Sequence, residues 1–294
     1  MCKEIRFYKK VFLLSLGINL IFLLSGCGDS SSNDSKNNQD DNNTSEIVVS
    51  SNISTVVDKV TNLIWTDGSD TKTVTRTFPQ AQAYCNNLEV DNYSDWRIPS
   101  LSELYTIVDL KNHNPSIKNT FLYTTSSGYW SSDRYPIDNN LIMGINFYDG
   151  GDGVILETDN YYTRCVRGEP LATPSFTKTG DTVVENSSTL EWQDNGEVVD
   201  NYLNYSEAMS YCDSIALSNH NDWRVPTLDE LRTIVDRDNS NPTLYKEFTT
   251  RVSDAFWSSS IYEADDSKMW SILFRDGNDF KYLKIDKAYV RCVR

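Results

Sequence analysis

A long internal repeat is the feature of this sequence that most constrains its fold. Shifted by 127 positions, the segment 54–167 falls without a gap on the end of the 294-residue chain. The shared motifs include Tyr84-Cys85 and Tyr211-Cys212, Asp95-Trp96-Arg97 and Asp222-Trp223-Arg224, Trp130-Ser131-Ser132 and Trp257-Ser258-Ser259, and Arg164-Cys165-Val166-Arg167 and Arg291-Cys292-Val293-Arg294. Because a repeat of this length has the size of a domain, the sequence predicts two copies of one domain, at 54–167 and 175–294, joined by a linker at 168–174.

The first 27 residues have the pattern of an export signal. A basic start at residues 3–10 precedes an apolar segment at residues 11–24, which is shorter than the ~20 residues that a membrane-spanning helix needs. Leu24-Ser25-Gly26-Cys27 resembles the bacterial lipobox, which implies that Cys27 is lipidated and begins the mature chain. Gly28 in place of Asp favours the outer membrane under lipoprotein sorting rules. The alternative is an ordinary signal peptide with a chance cysteine.

The segment after the signal, residues 28–53, is predicted to be a disordered tether. Residues 28–50 are almost all Ser, Asn, Asp, Gly, Gln, Lys and Thr, a composition that cannot bury enough apolar surface to fold. The whole chain carries 42 acidic against 27 basic residues, a formal net charge of −15. A surface this negative repels polyanions. We therefore expect no nucleic-acid partner and weak heparin binding at physiological salt.

Two cysteines lie in each copy of the repeat, at the same spacing. They are Cys85, Cys165, Cys212 and Cys292. Four cysteines allow three pairings, and pairing within each copy, Cys85 with Cys165 and Cys212 with Cys292, is the simplest. A metal–thiolate site is the alternative, but the two histidines, His113 and His220, do not occupy equivalent positions.

The local patterns in each copy indicate helices followed by strands. Two helix-start signatures place Ser, Thr or Asn three residues before Gln or Glu, with apolar residues at helical spacing after them. Segments with the pattern of strands then lead into Asp-Gly turns, at Asp149-Gly150 and Asp276-Gly277, which are typical of β-hairpins. The predicted fold class is α+β: two helices and an antiparallel sheet per copy, with the cysteine of the last strand bonded to the first helix.

The order of these motifs resembles a known family, the Lcl C-terminal domain, which is a bacterial surface domain. The resemblance is carried by Tyr-Cys on a helix, Asp-Trp-Arg-x-Pro-(Ser/Thr)-x-x-Glu-Leu, Trp-Ser-Ser and Arg-Cys-Val-Arg. More distantly the motifs are similar to formylglycine-generating enzymes, which implies two tandem C-type-lectin-like domains. The resemblance to the Lcl C-terminal domain also implies attachment to glycans, as in the best-known member of that family. This chain departs from the family's collagen-like adhesin in lacking a Gly-x-y segment and in its negative charge.

We expect no catalytic residues. A serine nucleophile in Trp-Ser-Ser would need an adjacent base, and no histidine recurs in both copies. No cysteine beyond the pairs above is left for formylglycine-generating chemistry. Arg97 and Arg224 could clamp an anion. The favoured interpretation is that they pair within the fold, either with Glu103 and Glu230 on the following helix or with Asp95 and Asp222.

Four aspartates are weak candidates for calcium, and no other cofactor is expected. Asp149 and Asp152 stand in register with Asp276 and Asp279, and exported carboxylate-rich loops can hold calcium. The alternative is that these residues form ordinary acidic turns.

Ligand contacts are expected where the two copies differ, in segments 132–143 and 259–270. There Tyr135, Tyr262 and Trp270 could stack on sugar rings, or could simply pack. We predict an exported lipoprotein held in the outer membrane through Cys27, facing the periplasm or the cell surface. Its two modules would bind a glycan or a protein. The alternatives are a structural envelope protein that partners another surface protein, and a degenerate enzyme of the formylglycine-generating type.

Overall fold

A computed structural model describes residues 48–49 and 54–294 of the chain. The predicted export signal, the predicted lipidation site Cys27 and nearly all of the predicted tether lie outside these residues. The two copies of the repeat belong to one compact unit. In the part of the chain that is described, no helix has the length and hydropathy to cross a membrane.

Short strands precede and separate the helices of the first domain, whereas the sequence predicts helices followed by strands. After β1 (Val48–Val49), its elements are β2 (Thr55–Val57), β3 (Ile64–Thr66), α1 (Ser69–Thr73), β4 (Thr75–Arg76), α2 (Phe78–Asn86), β5 (Leu88–Glu89), α3 (Leu101–Ile107), β6 (Gly128–Tyr135), β7 (Asp138–Asn146), β8 (Gly151–Leu156), β9 (Tyr161–Tyr162) and β10 (Val166–Arg167).

The second domain repeats this order, with an additional strand at its start and no strand equivalent to β5 or β10. Its elements are β11 (Phe176–Thr179), β12 (Thr182–Glu185), β13 (Glu191–Gln193), α4 (Glu197–Asp200), β14 (Tyr202–Asn204), α5 (Tyr205–Ser214), α6 (Leu228–Thr233), β15 (Ala255–Ile261), β16 (Lys268–Leu273), β17 (Asn278–Leu283) and β18 (Lys287–Tyr289).

Each domain is built on a five-stranded sheet and a smaller three-stranded one. The large sheets have the orders β4-β9-β6-β7-β8 and β14-β18-β15-β16-β17, and the small sheets β10-β3-β2 and β11-β12-β13. The α+β class is confirmed, but three further details differ from the prediction. A third short helix, α1 or α4, precedes the two expected ones. The large sheet has a parallel pair, β6 with β9 and β15 with β18, and a second sheet is present.

The two main helices of each domain begin at the predicted residues. Ser100 accepts a hydrogen bond from the backbone N–H of Glu103, whose carboxylate in turn accepts from the N–H of Ser100. The same reciprocal capping box begins α2, α5 and α6. Such a box satisfies two backbone donors that the first helical turn leaves without partners, so these short helices have defined ends.

The large sheet of the first domain carries a hydrophobic core on each face. Trp130 and Ile142 pack in one cluster with residues of α2. Their neighbours in sequence, Tyr129 and Met143, pack in another cluster with residues of α3. Because successive side chains of a strand point to opposite faces, α2 and α3 lie on opposite sides of the sheet. The second domain has the same alternation at Trp257 and Phe256.

The predicted pairing of the cysteines is confirmed. Disulfides join Cys85 to Cys165 and Cys212 to Cys292, each with Cα atoms 5.6 Å apart. Contrary to the prediction, the second cysteine of each pair is not inside a strand. Cys165 lies between β9 and β10, where the chain leaves the large sheet for the small one.

A buried arginine precedes that cysteine in each domain. Arg164 donates to the carboxylate of Asp67 at 2.9 Å, and Arg291 donates to that of Asp194 at 2.7 Å. All four side chains are at most 2% exposed. Removing one partner of such a pair would leave an uncompensated buried charge, so each pair holds the crossover between the two sheets in place.

We predict that replacing both Cys85 and Cys165 by Ser lowers the free energy of unfolding by about 4.5 kcal/mol, because the 80-residue loop would no longer be closed in the unfolded chain. Chemical denaturation followed by tryptophan fluorescence measures the change. The Cys212→Ser, Cys292→Ser variant is the matched control and should lose a similar amount. Unchanged stability in both variants would contradict the structural role of the disulfides.

Candidate functional site

Two equivalent aspartates hold the two domains together by a reciprocal exchange of hydrogen bonds. The backbone N–H of Asp279 donates to the carboxylate of Asp152 at 2.8 Å, and the N–H of Asp152 donates to that of Asp279 at 3.3 Å. The two residues are separated by the repeat length of 127. An interface in which equivalent residues contact each other is the arrangement that a twofold axis produces. The domains therefore meet as the two halves of a pseudo-dimer.

Two arginines of the second domain neutralise these buried carboxylates. Arg232 donates to Asp279 at 2.5 Å, and Arg237 donates to Asp152 at 3.1 Å. Tyr105 of the first domain also donates to Asp152, at 2.6 Å. The same arginines donate to backbone carbonyls of the two equivalent Asp-Gly turns, Arg232 to Gly150 and Arg237 to Gly277.

Burial of this cluster changes the acidity of its groups. The pKa of Asp152 is raised to about 6, first because burial disfavours its charged form and second because the carboxylate of Asp279 lies beside it. Burial likewise raises the pKa of Tyr105 above its usual value. Tyr105 therefore keeps its proton and remains a hydrogen-bond donor to Asp152 at neutral pH.

All four aspartates considered for calcium lie at this interface and are held by protein groups. Besides Asp152 and Asp279, Asp149 accepts from Lys281 at 2.6 Å, and Asp276 accepts from the hydroxyl of Tyr135 at 3.0 Å. Across residues 54–294, no three His, Cys, Asp or Glu side chains are grouped closely enough to hold a metal ion. The geometry of these residues gives the calcium expectation no support.

The three aromatic residues expected to contact a ligand also lie at the interface. Trp270 is 1% exposed, and its ring packs against Gly151 of the other domain, where an added Cβ would be 2.8 Å from the indole. Tyr262 meets Trp270 edge to face at 5.5 Å, and Lys281 lies 4.5 Å from the Trp270 ring centroid. In this structure the face of Trp270 is covered by protein.

The arginines of the Asp-Trp-Arg motifs are engaged within the fold. Arg97 makes two hydrogen bonds to Glu103, at 2.5 and 2.7 Å, and Arg224 makes the same two to Glu230. The favoured interpretation, pairing within the fold, is confirmed, and the partner is the glutamate of the next helix. Asp95 and Asp222 accept from Arg167 and Arg294 instead. Each arginine joins the motif to the capping box of α3 or α6.

A cleft of about 1000 Å³ opens between the domains beside this interface. Its walls come from α3 and α6, from one side of α2, and from the linker at residues 170–174. The lining side chains from the first domain include Asp58, Val60, Thr61, Gln82, Asn86, Arg97, Ser100, Ser102, Glu103, Tyr105, Thr106, Val108 and Lys118, and those from the second include Asp229, Arg232, Thr233, Val235 and Tyr245.

The cleft lies between equivalent parts of the two domains. Ser102 and Tyr105 on α3 are the counterparts of Asp229 and Arg232 on α6, and all four line it. The sequence alone did not indicate this site. The residues that form it are ordinary helix-surface residues within each copy, and only the packing of the copies brings them together.

Both copies of the repeat match a known protein family. Residues 54–167 and 181–294 both match the model of the Lcl C-terminal domain. The chain belongs to the Lcl C-terminal domain family. Its tandem Lcl C-terminal domains make it a surface-associated protein built from modules. No curated protein is similar enough to be matched to it.

The Lcl C-terminal domain is not an enzyme family. Ser131 and Ser258 of the Trp-Ser-Ser motifs are buried, and their hydroxyls donate to the backbone carbonyls of Met143 and Trp270 on the neighbouring strand. These hydroxyls are structural donors within the sheet. The two disulfides indicate that the domains fold outside the cytoplasm, since disulfides persist in oxidising compartments.

We predict that the carboxyl group of Asp152 titrates near pH 6 and that Asp279→Asn lowers this midpoint, because the like charge beside it is removed. Carbon-13 NMR of the aspartate carboxyl groups measures both values. The raised pKa means that the folded chain holds this proton more tightly than the unfolded chain. The stabilisation from this group is therefore full below pH 4 and is lost as the pH rises through about 6.

The matched control is Asp159→Asn, which removes a carboxylate from an exposed position outside the interface. That variant should leave the Asp152 midpoint unchanged. A midpoint below 4 in the unaltered protein would show that Asp152 is not buried between the domains.

Proposed function

We propose that this chain is an exported lipoprotein that displays its two Lcl C-terminal domains as one binding unit for a glycan or a protein. The observation that carries the proposal is the cleft of about 1000 Å³ between the domains. Clefts of this size with a few polar groups are the usual form of ligand sites, and they occur preferentially between domains.

The interface beside the cleft supports a preformed site. Asp152 and Asp279 are fixed by backbone donors and by Arg237 and Arg232, and Arg232 itself lines the cleft. A site whose walls are held in place loses less conformational entropy when a ligand binds. A single unit would therefore bind more tightly than two domains that moved independently.

The proposed attachment to the cell rests on the N-terminal sequence. The lipobox-like Leu24-Ser25-Gly26-Cys27 would place a lipid at Cys27, with Gly28 favouring the outer membrane. The 23 residues at 28–50 of the predicted tether would have a root-mean-square reach of roughly 25 Å. That reach would let the binding unit stand clear of the membrane surface.

We expect Cys27→Ser to abolish lipidation, so that the protein stays unprocessed or no longer enters the detergent phase with the membranes. Detergent-phase partitioning and intact-mass measurement check this. The neighbouring Ser25→Ala variant keeps the cysteine and should remain anchored. A processed, membrane-bound Cys27→Ser protein would show that the lipobox assignment is wrong.

We also expect that filling the cleft abolishes attachment of cells that display this protein. Ser102 is exposed on α3 and lines the cleft, so Ser102→Trp should obstruct it. Ala83→Trp adds the same ring on α2 outside the lining and is the matched control. Adherence to surfaces coated with oligosaccharides and with extracellular-matrix proteins is the readout. Equal adherence of the two variants would exclude the cleft as the binding site.

A further inference from the structure

The charged side chains that line the cleft form pairs with one another. Lys118 lies 3.5 Å from Asp58, and Arg97 lies 2.5 Å from Glu103. Arg232 lies 2.8 Å from Asp229 and also pairs with Asp279. Three cations thus face three carboxylates of the same lining, and each cation already has its partner.

This pairing disfavours a charged ligand. A sulfate or carboxylate group binds well where a cation can turn its donors toward it. An anion bound to Arg97 would compete with Glu103 for the guanidinium and place a second negative charge beside that carboxylate, whose side chain is 1% exposed. A buried carboxylate without its partner is costly, and Arg232 is held between Asp279 and the Gly150 carbonyl in the same way. The cleft therefore offers little to a polyanion.

Four uncharged polar residues of the lining are available instead. Gln82, Asn86, Ser102 and Thr173 are exposed, and their side chains form no hydrogen bond with any other residue that the structure describes. Amides and hydroxyls both donate and accept hydrogen bonds. Each can therefore match a sugar hydroxyl, which also does both.

The lining also has apolar surface close to these polar groups. Val60 is 85% exposed, and the half-buried ring of Tyr245 rests on Phe176 at 4.9 Å between centroids. Such surface suits the C–H face of a sugar ring. A cleft of about 1000 Å³ has room for more than one ring.

We infer that the cleft binds a neutral oligosaccharide, which it holds through uncharged hydrogen-bonding side chains and a small apolar wall. The inference rests on the proposed function and specifies the ligand class of the same site. Two features carry it: the internal pairing of every charged group named above, and the set of uncharged side chains left without protein partners.

The test compares neutral and sulfated oligosaccharides on an array probed with the full-length protein in detergent. Unaltered protein should bind neutral members and not their sulfated counterparts. Gln82→Lys places an unpaired cation in the cleft, and it should gain sulfated ligands by at least about tenfold. Ala83→Lys adds the same charge one residue away, outside the lining, and should keep the original preference. Gln82→Ala should weaken neutral binding several-fold.

The outcomes separate this inference from the proposed function. Preference of the unaltered protein for sulfated oligosaccharides, or an equal gain in Gln82→Lys and Ala83→Lys, would overturn the inference. Binding of an uncharged polypeptide but of no oligosaccharide, with loss in Ser102→Trp, would also overturn it and leave the cleft as a binding site. If Ser102→Trp leaves all cell adherence unchanged, the proposed function itself fails.

Discussion

The buried exchange between Asp152 and Asp279 is the interaction on which the arrangement of this molecule depends. Two carboxylates removed from water and placed side by side would repel each other. They are tolerated because Arg232, Arg237 and two backbone N–H groups surround them. Replacing a buried ion pair by apolar residues is often neutral or stabilising, so we infer that this cluster contributes more to defining one geometry than to stability. Here the geometry that it defines is the position of one domain against the other, and with it the width of the cleft.

The interface depends on differences between two otherwise similar copies. The second domain has cations where the first has uncharged residues: Arg232, Arg237 and Lys281 replace Tyr105, Leu110 and Val154. If both copies had arginine at these positions, like charges would meet across the pseudo-twofold axis. With no arginine in either copy, the two aspartates would be unneutralised. The sequence divergence at these positions therefore favours pairing of the first domain with the second over pairing of either domain with a second copy of itself.

The parts of the fold that could be predicted from the sequence are those with local signals. Short segments contain the signals for the capping boxes at Ser100 and Thr227 and for the Asp-Gly hairpins. The cysteine pairs could be predicted because the same spacing recurs once in each copy. The division of the chain between two sheets at Cys165 was missed, because it depends on the distant pairing of Val166 with Trp65.

The candidate site was missed for a related reason. A sequence difference between the copies, as at Trp270, predicts ligand contact, and in the structure this residue lies at the interface between the domains. Trp270 replaces Met143 and fills the space beside Gly151 of the other domain. Any surface that must fit a non-identical partner diverges in this way. A sequence difference between the copies therefore cannot by itself distinguish an interface residue from a ligand-binding residue. The packing of the domains is needed to do so.

The two domains form one rigid unit around the cleft. Amide hydrogen exchange at Asp152 and Asp279 in the folded protein tests it most directly, because each N–H donates across the interface. Both amides should exchange slowly and at similar rates, and Arg232→Ala should accelerate both together. Rapid exchange at both positions in the unaltered protein, with strands β7 and β16 still protected, would show that the domains separate freely and would contradict the account.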